Sequence, residues 1–241
     1  MEWYWIIAIV VGSVAVLLVL SHIFYKQFFK RLYDIVLSGM ALILLSPLLL
    51  VLTIVGAIAM HGNPFFVQPR PGKIDPKTGK EKIFKLVKFR TMSNLKDKDG
   101  NLLPDADRLN NYGKFLRKTS LDELGELLNI FCGDMAIVGP RPLLVKYLPL
   151  YSEEQRHRHD VRPGLTGYAQ AHGRNAVTWE DKFAMDVWYT KHFSFENDIK
   201  IIFSTIKTVI KHDGISSKTS ATMEEFCGST EESIITWEAP V

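Results

Sequence analysis

Charge is absent from Trp3 to Leu20 and again from Ile35 to Met60, whereas beyond Asn63 apolar and polar residues interleave. At about 1.5 Å of rise per residue, either uncharged run is long enough to cross a bilayer as a helix. A cleaved signal segment would open on basic residues and close on a small-residue cleavage site. Here only Glu2 precedes Trp3, and Lys26, Lys30 and Arg31 follow the run. The pattern therefore predicts a retained anchor over residues 1–29. The excess of basic residues on its carboxyl side puts residue 30 in the cytoplasm and the amino terminus outside, with Trp3, Tyr4 and Trp5 as an outer aromatic belt.

The second run, within residues 30–62, has basic residues on both sides: Lys26, Lys30 and Arg31 before it, Arg70, Lys73 and Lys77 after it. Both flanks favour the cytoplasm. A helix that enters and returns to one face needs a break, and Ser46-Pro47 supplies it: proline removes a backbone donor and clashes with the preceding turn, while the serine hydroxyl can bond a freed carbonyl. A plain second spanning helix with a tolerated proline is the alternative, and it would export everything after residue 62. The charges favour the re-entrant form.

Residues 63–213 read as a cytoplasmic domain. Asn63-Pro-Phe-Phe-Val-Gln68 enters a strand and Ile83 to Arg90 alternates as a second, which predicts a hairpin around a Gly/Pro/Lys loop from Pro71 to Lys82. Lys96 to Asn111 is polar and reads as a surface loop. Asn197 to His212 is an amphipathic helix with Ile199, Ile202, Phe203, Ile206, Val209 and Ile210 on one stripe; core packing and a position flat on lipid fit it equally. The expected fold class is α+β, mostly helical. Residues 214–241 carry five glutamates against Lys218, a net of −4, so that the formal +3 of the chain leaves +7 on the rest. A loosely ordered acidic tail and a basic body suited to anionic lipids and phosphates follow. Cys132 and Cys227 lack metal-type spacing and give no disulfide framework.

Candidate chemistry concentrates between residues 117 and 141. Ser120-Leu-Asp-Glu123 fits a capping box, which explains Ser120 and Glu123 structurally and leaves Asp122 near the positive end of a helix dipole. With Arg117 upstream, Asp122 suits a nucleophile or a Mg²⁺ ligand facing phosphate. Arg141 between Pro140 and Pro142 is presented on a stiff loop, as bidentate recognition of a phosphate or base edge requires. Arg162-Pro-Gly164, with Gly167 and Gly173, forms a second stiff loop. In the basic stretch from Lys73 to Arg90, alternation puts Lys88 and Arg90 on one strand face as the better anion ligands. His157-Arg-His159-Asp160 reads as a solvated helical face. No Walker sequence or paired-glycine dinucleotide turn is present. From Lys73 to Lys85 the only aromatic among the basic residues is Phe84, and this scarcity of interleaved aromatics argues against nucleic acid. A membrane scaffold in which Ser120 to Glu123 only cap a helix is the non-enzymatic alternative.

From about Lys30 to Ile210 the chain resembles the bacterial sugar transferases, the monotopic polyprenyl-phosphate sugar-1-phosphate (phosphoglycosyl) transferases. The matching motifs are Lys30-Arg-Leu-Tyr-Asp34, Ser46-Pro47, Pro64-Phe-Phe-Val-Gln68, Arg70-Pro-Gly72 and Lys88-Phe-Arg-Thr-Met92. They continue through Arg117-Lys-Thr-Ser-Leu-Asp-Glu123, Gly133-Asp-Met135, Gly139-Pro-Arg-Pro-Leu143, Arg162-Pro-Gly-Leu-Thr-Gly167 and Asp186-Val-Trp-Tyr189. The resemblance implies a monotopic domain with interfacial helices at the cytoplasmic face of a bacterial inner membrane. It also implies transfer of a sugar-1-phosphate from a UDP-sugar to polyprenyl phosphate through a phospho-Asp122 intermediate, with release of UMP. Glu123 would share proton handling or Mg²⁺ binding with Asp122, Arg117 would hold phosphate, and Pro140-Arg141 would meet the uridine end. Lys88, Arg90 and Arg162 remain candidate substrate contacts. Further partners would be downstream glycosyltransferases or a second copy of the chain. Two departures stand out: Leu124-Gly-Glu-Leu-Leu128 where the family usually has Leu-Pro-Gln-Leu-Trp, and Tyr168 where tryptophan is common.

Overall fold

A computed structural model of the chain describes residues 2–172, 177–211 and 225–229. Helix α1 (Glu2–Ile23) is apolar on every side and almost wholly exposed, and Trp3–Ile23 is long and apolar enough to cross a membrane. Where it meets the rest of the protein it stops being uniform. Ser21 is buried and its hydroxyl lies 2.5 Å from that of Tyr33. A π-helical turn (Tyr25–Phe29) then rotates the chain so that Tyr25 and Phe29 face inward while Phe28 stays out.

Helices α2 (Lys30–Leu44) and α3 (Ser46–Ala59) meet at Leu45 with a 64° bend, a geometry common to a broken span and a re-entrant loop. Pro47 sits in the first turn of α3, where its missing N–H costs nothing, and the Ser46 hydroxyl donates to the Ile43 carbonyl at 2.7 Å. Each helix buries one stripe and exposes the other. Ala41, Leu42 and Leu45 pack on Phe84, Leu86 and Ile130, and Leu48, Leu49 and Leu52 pack with Phe89 and Leu116. Met40, Ile43, Leu44, Leu50, Ile54 and Ile58 remain exposed along the outer side.

Strands β1 (Phe65–Ile74) and β2 (Glu81–Phe89) form the predicted antiparallel hairpin, with β1 running through Pro69 and Pro71 to leave a tighter loop than the sequence indicated. The free edge of β2 is covered from the side. Helices α4 (Asp105–Arg108), α5 (Asn111–Thr119) and α6 (Glu126–Cys132) follow, and the α6 residue Asn129 accepts from Val87 N at 3.0 Å and donates to Lys85 O at 2.8 Å. A buried amide thereby extends the ladder. The expected loop over 96–111 is irregular apart from a Lys96–Leu102 bridge and α4.

Beyond the hairpin, β3 (Ala136–Val138) pairs in parallel with β4 (Gly164–Thr166), a two-stranded ladder too short to leave an alternating signature in sequence. Between these strands lies α7 (Glu153–Arg156). After them come α8 (Tyr168–His172), α9 (Trp179–His192) and α10 (Phe195–Lys211). On α10, Ile199, Phe203 and Ile206 of the predicted stripe are exposed while Ile202 packs with Ile201 against Val138 and Tyr189, so the stripe is divided between the core and the outer surface. Val209 and Ile210 of that stripe lie beyond the described side chains, and Gly173 and most of the acidic tail lie outside the described residues.

A buried polar knot joins these layers. Asp198 accepts from Tyr25 Oη at 2.6 Å and Tyr189 Oη at 2.7 Å and pairs with Lys30 Nζ at 2.8 Å. Lys30 also donates to the Val138 carbonyl, and the Asp34 carboxylate takes the Ile137 N–H at 2.9 Å. One carboxylate thus binds the π turn, α2, α9 and α10 together, and α2 seizes β3 through its backbone. Replacing Asp198 by Asn leaves the Lys30 ammonium with only the more distant Asp34 carboxylate, 3.7 Å away, as its counter-charge in a largely buried site. We expect a loss of about 3–5 kcal/mol, read as a lower thermal midpoint in detergent, with Lys200→Ala on the exposed side as a near-neutral control.

Candidate active site

Helix α5 ends at Ser120, which takes a left-handed conformation (φ 56°). A 3₁₀ turn from Leu121 to Gly125 then carries Asp122 and Glu123 into α6. The capping box predicted at Ser120–Glu123 does not form, because an N-cap needs extended backbone to aim its hydroxyl at the third N–H, and Ser120 is turned the other way. A capping box is found at Ser152–Gln155 instead. Gly125 explains one sequence departure: a Cβ there would sit 2.7 Å from the Val87 carbonyl, so the turn lies directly on the β2 backbone.

Glu123 is free of capping duty and holds the charges of the site together. Its Oε1 takes Arg141 Nη2 at 2.5 Å and Lys88 Nζ at 3.0 Å, and Lys88 also pairs at 2.8 Å with Glu126, which is buried. Burial opposes ionisation of Glu123, but Arg141 and Lys88 outweigh it and hold its pKa at about 2. Asp122 goes the other way. Burial first, then the Glu123 charge, raise its pKa, with Lys88 and Arg141 offsetting only part. The helix-dipole stabilisation expected for its ionised form is thus overridden by desolvation at a single 3₁₀ turn. Burial raises Glu126 too, since its share of Lys88 is incomplete and Glu123 adds a like charge.

Arg141 is presented as predicted by a stiff loop, and the stiffness has identifiable sources. Pro140 O accepts from Gly164 N, Arg141 O accepts from Arg158 Nη2 at 2.8 Å, and a Cβ on Gly139 would lie 2.4 Å from Arg162 O. Arg158 is itself fully buried, paired with Asp186 at 2.7 Å. The solvated face expected for His157-Arg-His159-Asp160 therefore holds for His157 and Asp160 only. His159 is buried, close to the Gly72 carbonyl, and burial with the Arg158 charge pushes its pKa down to about 3.

The structure brings Asp122, Glu123, Lys88 and Arg141 to one place and puts other predicted residues to different use. Arg117 Nε donates to Thr91 Oγ1, not to the carboxylates. Arg162 Nε donates to the Gly133 carbonyl beside Arg31, which itself caps the end of α6 through Ile130 O and Phe131 O. Arg90 follows Lys88 just past the end of β2, where its N–H bonds Pro64 O. Sequence reasoning missed Glu126, Arg158 and Arg70. Arg70 is a partly buried guanidinium whose Nε finds no partner and whose pKa burial and the nearby Arg141 both lower. Glu126 was signalled by its departure from the family's glutamine; Arg158 had no signal beyond a basic run. No cluster of three or more His, Cys, Asp or Glu side chains able to hold a metal occurs among the described residues. For Mg²⁺ this donor set fits an ion completed by substrate phosphates, with one carboxylate from Asp122 or Glu123.

The family model described as bacterial sugar transferase matches residues 25–212. The uncharacterized sugar transferase EpsL of Bacillus subtilis is 46% identical over 201 residues, which are 83% of this chain and 96% of that protein. The undecaprenyl-phosphate galactose phosphotransferase of Salmonella typhimurium is 36% identical over 208 residues, 78% of this chain and 42% of the relative. The UDP-glucose:undecaprenyl-phosphate glucose-1-phosphate transferase of Klebsiella pneumoniae is 38% identical over 188 residues, 74% of this chain and 39% of the relative. This chain therefore spans about two fifths of the length of these two larger relatives.

Lys88 is the shared counter-charge of Glu123 and Glu126. In Lys88→Met, Glu126 loses its offset and its folded pKa rises further above the unfolded value near 4.5. A carboxyl of that kind lowers stability as pH climbs above the unfolded pKa. The variant is accordingly expected to lose about 3–5 kcal/mol at pH 7 and less at pH 5, seen as a drop in thermal midpoint that narrows on acidification.

Proposed function

The chain belongs to the bacterial sugar transferase family, and on that premise we propose that it moves a sugar-1-phosphate from a UDP-sugar to polyprenyl (undecaprenyl) phosphate, with release of UMP. The observation that carries this reading is the asymmetric carboxylate pair: Glu123 is clamped by two cations, while its neighbour Asp122 is left half-buried beside it with a raised pKa.

In the first step an Asp122 carboxylate oxygen attacks the β-phosphorus, the bond from that phosphorus to the bridging oxygen breaks, and UMP departs with the bridging oxygen. The sugar phosphate is then held as an acyl phosphate. In the second, an oxygen of polyprenyl phosphate attacks the same phosphorus and returns the electron pair to Asp122, leaving a polyprenyl diphosphosugar. Glu123, fixed by Lys88 and Arg141, keeps a negative charge next to Asp122, which raises the energy of the free carboxylate and favours its conversion to the acyl phosphate. Arg141, whose side chain keeps 39% exposure, faces the donor and holds phosphate or the nucleotide. Asp122 or Glu123 would supply the one protein carboxylate for Mg²⁺, which when bound would neutralise charge at the leaving group.

Placement supports the same chemistry. The exposed outer stripes of α2, α3 and α10 suit a domain seated in the cytoplasmic leaflet of a bacterial inner membrane, with α2 and α3 re-entering the cytoplasmic face and the amino terminus outside. There the protein would begin assembly of a surface glycan on its lipid carrier.

Asp122→Asn is expected to reduce UMP release to background while the protein stays in the membrane fraction; turnover near wild type would exclude the nucleophile. In Glu123→Gln the charge that raises Asp122 is removed and Lys88 and Arg141 are freed to lower it. The acid limb of the kcat/KM profile should therefore move to lower pH as overall activity falls, and a limb that stays put would separate Asp122 from the titrating group.

A further inference from the structure

Phe226 lies beyond the family match, which ends at residue 212, yet it is among the most buried aromatic side chains described, with 2% exposure. Its ring sits 4.9 Å from Phe183, 5.5 Å from Trp179, 5.7 Å from Tyr147 and 6.0 Å from Tyr151, mixing stacked, edge and tilted arrangements. Its neighbours fasten the same segment: Glu225 pairs with Lys146, and Ser229 Oγ accepts from Gln155 Nε2 at 2.8 Å. Tyr147 and Lys146 belong to the 3₁₀ segment Val145–Leu150, which contains Pro149 and follows directly on the Arg141 loop.

The route from Phe226 to the site is short. Tyr151 and Phe183, two walls of its cage, also flank the Arg158 guanidinium at 5.8 and 5.6 Å. Arg158 holds the Arg141 carbonyl, and Arg141 clamps Glu123. Emptying the cage would remove the support on one side of Arg158 and slacken the 143–151 segment in the same motion.

We infer that residues 225–229 are a C-terminal latch: Phe226, caged by Tyr147, Tyr151, Trp179 and Phe183, positions Arg141 toward the nucleotide end of the donor. The inference rests on the reading of Arg141 as a donor contact. Phe226 is a positioning residue, touching neither substrate nor Asp122. It follows that affinity for the nucleotide is set partly by a segment outside the family core.

The test uses the full chain in nanodiscs, with UMP as the binding probe and hydrogen exchange over residues 141–151 as the structural one. Phe226→Ala is expected to weaken UMP binding roughly tenfold, about 1.4 kcal/mol, and to raise donor KM similarly while kcat changes little. Exchange over 141–151 should quicken, and Phe226→Leu, which keeps aliphatic bulk in the cage, should recover most of the affinity. Unchanged UMP affinity in Phe226→Ala overturns the latch even if the protein melts earlier, and so does a fall in kcat with affinity intact. If the wild-type chain neither binds nor releases UMP, the donor assignment fails on its own account. The latch is then judged by exchange, and unaltered protection of 141–151 in Phe226→Ala overturns it.

Discussion

A single buried carboxylate, that of Asp198, decides how the apolar N-terminal helices of this protein meet the part that holds the candidate site. It gathers Tyr25, Lys30 and Tyr189 from three parts of the chain. In low dielectric such a cluster is strongly directional, because a shift of any partner leaves charge or a hydroxyl unsatisfied. Lys30 and Asp34 then hold Val138 and Ile137, and the next residues are Gly139, Pro140 and Arg141. The loop that clamps Glu123 is in this way referenced to α2, the helix that lies against lipid in the proposed placement.

Within the site, the acids outnumber the bases. Asp122, Glu123 and Glu126 share Lys88 and Arg141, so not all three carboxylates are equally easy to ionise. The two cations favour Glu123, and burial leaves the excess on Asp122 and Glu126. In the proposed mechanism, Asp122 starts half-buried and close to like charge, and conversion to the acyl phosphate relieves part of that cost. Arg70, carrying an unsatisfied buried Nε near Arg141, adds one further positive charge in the adjoining wall.

Much of this was legible in the chain. Charge-free runs marked α1 and the α2–α3 pair, Ser46-Pro47 marked their break, and Pro-Arg-Pro marked a rigid arginine. What could not be read was tertiary. Ser120-Leu-Asp-Glu123 has the letters of a capping box, but Ser120 is already used as the left-handed C-cap of α5, its N–H bonding the Arg117 and Leu116 carbonyls. Arg117 reads as a candidate anion ligand because it lies just upstream of Asp122, and Arg162 because it opens a Pro-Gly turn; the fold adds that they bond Thr91 and Gly133. The basic residues used to argue topology carry a second lesson. Lys30 and Arg31 hold Asp198 and the end of α6, so a charge counted as a flank of a membrane segment also serves as an internal fastener.

The 64° bend between α2 and α3 has a geometric consequence. In the proposed placement, two apolar faces joined at a fixed angle, with a third on α10, would fix the seating of the protein more firmly than a single helix could. A protein so seated loses freedom to roll, leaving lateral diffusion and rotation about the membrane normal as its main motions. An acceptor phosphate carried on a lipid is confined to the same sheet. Their encounter then becomes a search in two dimensions at constant height, in which approach from above or below, the commonest unproductive orientation for two bodies in solution, is excluded before they touch.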